Sequence, residues 1–378
     1  MDCTYHQQQI CKSCSWLHLG YQQTLADKTT ALRELFPEAE VRPFMGVESA
    51  KGSRIRARLA VTGTVDDLQI GFYDDQHKIV PVNQCPLHHP LINEFATRLP
   101  EIIQTAKLTP FDMTTDRGEL KFVVITCSPT HHQLMVQFVL RSKEAVDRIR
   151  SLWRKMSDVD KQMTPVMSIN LQPVRSSSIS GTEELLVSEQ TVLPIRFGDT
   201  ELVFGPQSFL QTNYEVASAL YAEVGRVLKE QASENVLDLY CGAGAFSLTS
   251  ASPSQSVLGI DVSANAIECA IEAARRNGRS NATFLCRSLE CTTASHLETS
   301  NFDTFICNPP RRGLDAASVA LIMALRPASV VYSSCNPMTL QRDTKLLASN
   351  YQIAHLQLFD MFPFTPHAEV LAVLKRSV

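Results

Sequence analysis

Two apolar runs constrain the fold of this chain more than any other feature. Val236-Leu237-Asp238-Leu239-Tyr240 leads into Cys241-Gly242-Ala243-Gly244, and Val257-Leu258-Gly259-Ile260 ends on Asp261. A strand, a turn with two spaced glycines, a short helix and a second strand closing on an acid about twenty residues later make a nucleotide-type βαβ unit. The alternation continues to the C-terminus. It predicts strands at Val236–Tyr240, Val257–Ile260, Thr283–Cys286, Phe302–Cys307, Val330–Ser333, Ala354–Phe359 and Val370–Leu374. Helices are expected at Phe209–Leu228, Ala264–Asn277, Ala316–Leu325 and Met338–Ser349. Such a pattern implies an α/β fold with a doubly wound, mainly parallel sheet, and ligands at the carboxyl ends of its strands.

The glycines let the backbone approach a ligand closely. In a dinucleotide fingerprint a third glycine would fall at 247, where this chain has Ser247. A pyrophosphate cradle is therefore disfavoured, while Asp261 keeps the spacing for gripping ribose hydroxyls.

Upstream the periodicity changes. Residues 1–15 hold three cysteines and little that could build a core, and 16–37 has roughly helical apolar spacing stopped by Pro37. From 38 to 204 short β-like runs dominate: Ile55–Val61, Leu68–Tyr73, Phe122–Thr126, Leu134–Leu140, Val166–Leu171 and Val192–Phe197. Helices are expected near Pro90–Lys107 and Lys143–Lys155, and a Ser-rich exposed loop at Pro173–Glu184. This is an α+β domain with an antiparallel sheet. The catalytic domain is expected at 205–378, with helix 16–37 packed on it.

Composition excludes several classes. The 378 residues contain no apolar run long enough to cross a membrane, and the first residues lack the basic and apolar regions of a signal peptide, so a cytoplasmic protein is expected. Eleven cysteines, an odd number in such a chain, argue against a disulfide framework. Net charge is −4, with 22 Lys+Arg against 23 Asp+Glu up to Thr200 and 13 against 16 beyond it. Neither half is a basic module, so any nucleic-acid contact must come from local patches. Lys51, Arg54, Arg56 and Arg58 form one such patch, with three arginines alternating on a single predicted strand face.

Three strand ends carry chemistry. Cys307-Asn308-Pro309-Pro310-Arg311-Arg312-Gly313 must leave its strand as a rigid, protruding loop. Ser333-Ser334-Cys335-Asn336-Pro337 places a thiol among polar neighbours just past a buried strand, which favours exposure over burial in a core. Thr339 and Asp343 lie on the helix that follows. His367-Ala368-Glu369 opens the last strand, where an acid either marks a solvated strand end or serves as a base.

The glycine turn with Asp261 and the later Asn-Pro-Pro resembles class I S-adenosylmethionine-dependent methyltransferases. The fuller set, Asp238-Leu239-Tyr240-Cys241-Gly242, Asn308-Pro309-Pro310-Arg311, Ser334-Cys335-Asn336-Pro337 and His367-Ala368-Glu369, resembles the RNA uracil-C5 methyltransferases in content and order. Phe209-Leu210-Gln211-Thr212-Asn213 resembles that family's Phe-x-Gln-x-Asn segment. The resemblance implies that Gln211, Tyr240, Asp261 and Asn308 contact S-adenosylmethionine, that Cys335 is the nucleophile and that Glu369 is the general base. Many relatives carry Asp where this chain has Asn308, and the short 23S ribosomal RNA branch carries Asn. A monomer acting on 23S ribosomal RNA, with no membrane or DNA partner, is the expectation. A uracil-C5 enzyme for transfer RNA or for another ribosomal RNA site, and a non-catalytic iron–sulfur RNA-binding protein, are the alternatives.

Cys3, Cys11 and Cys14, with the distant Cys85-Pro86, resemble a four-thiolate ligand set for an iron–sulfur cluster. The ribosomal RNA members of the family carry a [4Fe–4S] cluster with similar spacing. Four thiolates also suit zinc, which His88 or His89 could join.

Overall fold

The structure is a computed structural model that describes residues 1–377 except 75, 77, 175–178, 294, 296 and 298–300. It divides into two compact units. The first comprises Met1–Cys14, Ser49–Ile195 and Phe204–Gln207; the second comprises Ser15–Glu48, Arg196–Val203 and Ser208–Val378.

The first unit is built on a seven-stranded sheet. Its order is Ile79–Pro81, Leu68–Tyr73, Arg56–Gly63, Leu120–Ser128, Gln133–Leu140, Val166–Leu171 and Glu183–Leu186. Neighbours are antiparallel except Gln133–Leu140 and Val166–Leu171, which run parallel. The parallel pair departs from the expected all-antiparallel sheet. The connection between those strands holds two helices, Val146–Lys155 and Asp158–Met163, which is the crossover a parallel pair requires. Part of the expected loop 173–184 lies outside the described residues, and its last two residues begin the edge strand Glu183–Leu186.

The second unit carries an eight-stranded sheet. In order its strands are Val41–Met45, Tyr351–Phe359, Glu369–Arg376, Ser329–Ser334, Thr304–Cys307, Asn235–Leu239, Ser256–Asp261 and Ala282–Cys286. All adjacent pairs are parallel except the two that involve Glu369–Arg376. These strands are near-continuous apolar runs because helices cover the sheet. Leu237, Leu239, Phe305, Cys307, Val330, Tyr332 and Val370 share one fully buried cluster with Leu340 and Leu347 of the helix Pro337–Leu347.

Residues 38–48, expected in the middle domain, belong to the second unit. Val41–Met45 extends its sheet beside Tyr351–Phe359. Helix Tyr21–Leu35 packs in the same unit. It buries Leu25, Lys28 and Leu32, and its last-turn Leu35 carbonyl accepts a hydrogen bond from Gln341 Nε2 at 2.6 Å. The expected helix from Phe209 starts later, at Tyr214, because the Asn213 side chain accepts from the Val216 N–H and caps it there. Phe209 to Thr212 is an irregular lead-in, with Phe209 exposed and Gln211 buried.

Candidate active site

Strand direction places the chemistry. Tyr240, Asp261, Asn308 and Cys335 lie at or just past the carboxyl ends of four parallel strands. Glu369 is the first residue of a strand that runs the opposite way, in register with Phe359 on one side while the next residue, Val370, faces Ser334 on the other. Reversing one strand therefore brings an amino-terminal acid to the same sheet edge as the thiol. Gln211 stands outside the sheet, buried on the lead-in to helix Tyr214–Glu230.

The glycine turn is tightly determined. Tyr240, Gly242 and Gly244 all take positive φ, of +62°, +54° and +75°. Asp261 closes the turn by accepting the Gly242 N–H through Oδ2 at 3.0 Å and the Ser263 N–H through Oδ1 at 2.9 Å. A Cβ at Gly244 would meet the Phe284 ring and the Ala270 methyl at 3.1 Å, so this glycine serves packing. A Cβ at Gly242 would meet nothing within 4 Å, so this glycine faces open space where a ligand can lie against the backbone. Beneath the turn, Asp238 is fully buried and accepts from the Ser247 N–H and hydroxyl through Oδ2, at 3.1 and 2.6 Å. Among the described residues its Oδ1 has no hydrogen-bond partner. Burial pushes its carboxyl up to about 7, against the pull of the Ser247 hydrogen bonds. The Tyr240 hydroxyl meets Ser318 Oγ at 2.6 Å.

The Asn308 loop and the Cys335 loop are fastened together. Asn336 caps helix Pro337–Leu347 through Oδ1, and its Nδ2 donates to the Arg311 carbonyl at 3.2 Å. Six residues on, Arg342 Nη2 donates to the Arg312 carbonyl at 2.8 Å. Asp343, fully buried, accepts from the Leu314 N–H at 2.8 Å and the Tyr332 hydroxyl at 2.7 Å. Gly313, at φ +81°, has no room for a Cβ, which would lie 2.3 Å from Asp343 Oδ2. The helix thus grips the loop by its main chain and leaves the Arg311 and Arg312 side chains exposed.

Cys335 is half-buried. Burial pushes its thiol up, the Glu369 charge adds to this, and the Arg311 guanidinium opposes it. Glu369 is 1% exposed, which removes the reading of it as a solvated strand end. Burial raises its carboxyl to about 7, and a hydrogen bond from Ser333 Oγ to Oε1 at 2.5 Å pulls the other way. An acid at about 7 can take or hold a proton at neutral pH.

Sequence reasoning missed two contributors. Ser333 was read only as strand. Lys28, on the helix Tyr21–Leu35, makes a buried ion pair with Asp360 at 2.5 Å and donates to the Phe362 carbonyl at 3.0 Å, in the segment leading to Glu369. No local pattern marks Ser333. A lysine among the buried positions of an amphipathic helix was the one available clue.

In the first unit, Cys3, Cys11, Cys14 and Cys85 line one cavity of about 80 Å³. Among the described residues no three His, Cys, Asp or Glu side chains are grouped so as to hold a metal ion. Burial pushes the Cys14 thiol up to about 11, Arg54 pulls it down, and the other three cysteines each add to the rise. His88 and His89 do not line the cavity. His88 is buried edge-on against Phe72, and His89 Nδ1 lies 3.3 Å from Cys127 Sγ. The expected arginine patch is also redistributed. Arg54 lines the thiol cavity, Arg56 donates to the Pro206 carbonyl at 3.0 Å, and Arg58 is exposed. Alternation predicts one strand face for these side chains, but Arg54 turns to the thiol cavity and Arg56 to a main-chain carbonyl.

A family described as tRNA (Uracil-5-)-methyltransferase matches residues 20–377. The 23S rRNA (uracil(747)-C(5))-methyltransferase RlmC of Yersinia enterocolitica is 36% identical over 378 residues, covering 99% of each chain. The chain belongs to the RNA uracil-C5 methyltransferase family. It is an S-adenosylmethionine-dependent enzyme that methylates C5 of uracil in RNA. The Yersinia pestis (strain Pestoides F) protein of the same description is likewise 36% identical over 99% of each chain. Among solved structures, Pyrococcus abyssi tRNA (uracil-54, C5)-methyltransferase in complex with S-adenosyl-L-homocysteine is similar, with a TM-score of 0.80 and 29% identity over 96% of this chain and 85% of that one. Among the described residues no helix is long and apolar enough to cross a membrane.

Proposed function

We propose that this enzyme methylates one uridine of 23S ribosomal RNA, the one numbered 747 in the names of its relatives, with Cys335 as nucleophile and Glu369 as base. The observation that supports the reaction is geometric: Ser334 pairs with Val370, so the half-buried Cys335 and the buried Glu369 follow and precede paired residues at one end of adjacent strands. Support for the RNA target is the 36% identity across 99% of both chains with enzymes so named.

Uracil C5 is a poor nucleophile by itself. The Cys335 thiolate adds to C6, and the C5=C6 electron pair moves onto C5 and the adjoining carbonyl as an enolate. S-adenosylmethionine supplies a methyl group on a sulfonium, which C5 takes. Glu369 then removes the C5 proton, the double bond re-forms and the C6–S bond breaks to return the thiolate. Tyr240, Asp261, Asn308 and Gln211 would hold the methyl donor, and the open face of Gly242 would admit it against the backbone. The target base must leave its stack to reach the thiol.

Cys3, Cys11, Cys14 and Cys85 would hold a [4Fe–4S] cluster. Four thiols lining one cavity are the donor set that such a cluster takes. Methyl transfer needs no electron, so a structural or RNA-positioning role fits: the cluster would tie residues 1–14 to the turn at Cys85.

Mapping 5-methyluridine in ribosomal and transfer RNA from cells lacking the protein tests the target. Loss at 23S position 747 alone is expected, and loss from transfer RNA instead refutes it. RNA carrying 5-fluorouridine, which blocks proton removal, should trap a covalent complex. A Cys335→Ala enzyme that still forms it refutes the nucleophile. Anaerobically purified protein should be brown and contain iron and sulfide; a colourless protein with one zinc would contradict the cluster.

A further inference from the structure

We propose that Ser333 is a positioning residue for the base: its hydroxyl pins one oxygen of the Glu369 carboxylate and presents the other to the C5 proton. The proposal rests on Glu369 being the base. Ser333 and Glu369 lie on adjacent antiparallel strands at the edge where the site forms, with Ser333 in register with Leu371 and Ser334 with Val370. Ser333 Oγ donates to Glu369 Oε1 at 2.5 Å, and each residue is 1% exposed. When the carboxylate is ionised, a hydroxyl in this place donates to it in a charge-assisted bond, the stronger kind.

The neighbouring serine does a different job. Ser334 Oγ donates to the Asn336 carbonyl and accepts the Asn336 N–H, which shapes the Cys335 loop. Successive strand residues face opposite sides, so one serine can serve the base while the next serves the loop that carries the nucleophile. Among the described residues Oε2 of Glu369 makes no hydrogen bond, and it is the oxygen left to receive a proton.

The physical need is plain. A buried glutamate without a donor would favour its neutral form, which cannot take a proton, and its carboxylate would turn freely about its last bond. The Ser333 bond opposes both. The other titratable groups that sense or influence this carboxylate are Cys335, with Arg311 behind it, and Tyr221 on helix Tyr214–Glu230. Among the described residues none of them hydrogen-bonds to Glu369, which leaves the Ser333 hydroxyl as the local device.

The test separates formation of the covalent protein–RNA complex from its breakdown. Full-length enzyme, S-adenosylmethionine and a uridine-bearing RNA fragment of the target are mixed and quenched in denaturant at a series of pH values. Ser333→Ala should form the complex at the wild-type rate and release product roughly fivefold more slowly at pH 7, with the acid limb of release moved up about one pH unit. Release should recover to the wild-type rate at about pH 9.5. Ser333→Thr, which keeps the hydroxyl, should restore the limb. Ser333→Cys, a weaker donor, should fall between and provides a second variant if the alanine form does not fold. Equal slowing of formation and breakdown would indicate general damage and overturn the proposal, as would an unmoved limb in Ser333→Ala. A stalled complex in Glu369→Gln beside normal release in Ser333→Ala overturns Ser333 alone. Normal release in Glu369→Gln overturns the base and Ser333 together.

Discussion

Replacing Lys28 by methionine should destabilise the catalytic unit far more than a typical helix substitution. The ammonium and the Asp360 carboxylate are 1% and 0% exposed, and Lys28 Nζ makes two hydrogen bonds, to Asp360 Oδ1 and to the Phe362 carbonyl. Hydrogen bonds to charged groups contribute about 1.5–3 kcal/mol each, which gives roughly 3–6 kcal/mol for the two. Breaking a buried pair by removing one partner costs about 3–5 kcal/mol, because the other charge stays in the interior. Lys28→Met should therefore cost about 3–5 kcal/mol. Asp360→Asn alone should cost about as much. The double variant should recover at least about 2 kcal/mol of the summed loss, since it strands no charge. Urea unfolding of the full chain, followed by fluorescence and by protection of amides in the strand Glu369–Arg376, measures each arm. A loss under about 1 kcal/mol for Lys28→Met, or simple additivity in the double variant, would refute the reasoning.

Asp238 and Glu369 are both raised to about 7 by burial, so the folded chain holds protons that the unfolded chain has released between about pH 4 and 7. Their contribution to stability is complete below about pH 4 and is lost as pH rises through 7, by on the order of 3 kcal/mol per group; Glu369→Gln should flatten that decline in urea midpoints taken at about pH 5 and pH 8. Gly242→Ala should cost about 1–2 kcal/mol for its left-handed backbone yet meet no clash, so calorimetry should show weakened S-adenosylmethionine binding in a folded protein. Arg342→Gln removes a bond from the helix to the Asn308 loop without touching the thiol, and a loop loosened by about 1 Å should lower single-turnover methylation roughly a hundredfold while S-adenosylmethionine affinity changes little.

Much of the second unit was legible because parallel strands buried on both faces write themselves as short apolar runs. Val236–Tyr240 and Thr283–Cys286 were each placed within a residue or two of the observed strands. Val41–Met45 escaped because it contains Arg42 and Pro43 and is only a sheet edge. The helix expected from Phe209 was too long because an apolar residue before a cap looks like the first turn, and only the Asn213 side chain shows where the helix starts. Arg54 and Arg56 were read as a surface row because alternation fixes a side and says nothing about what lies opposite.

Residue order along the chain settled which groups stand at strand ends: glycines after one strand, an acid after the next, then Asn308, then Cys335. Those are local facts, written in a period of two and in turn chemistry. That Glu369 reaches the same edge depends on its strand running antiparallel between two others, and that Lys28 meets Asp360 depends on contacts 332 residues apart. No local pattern encodes either, because strand pairing and the partners of buried charges are set by the whole packed core.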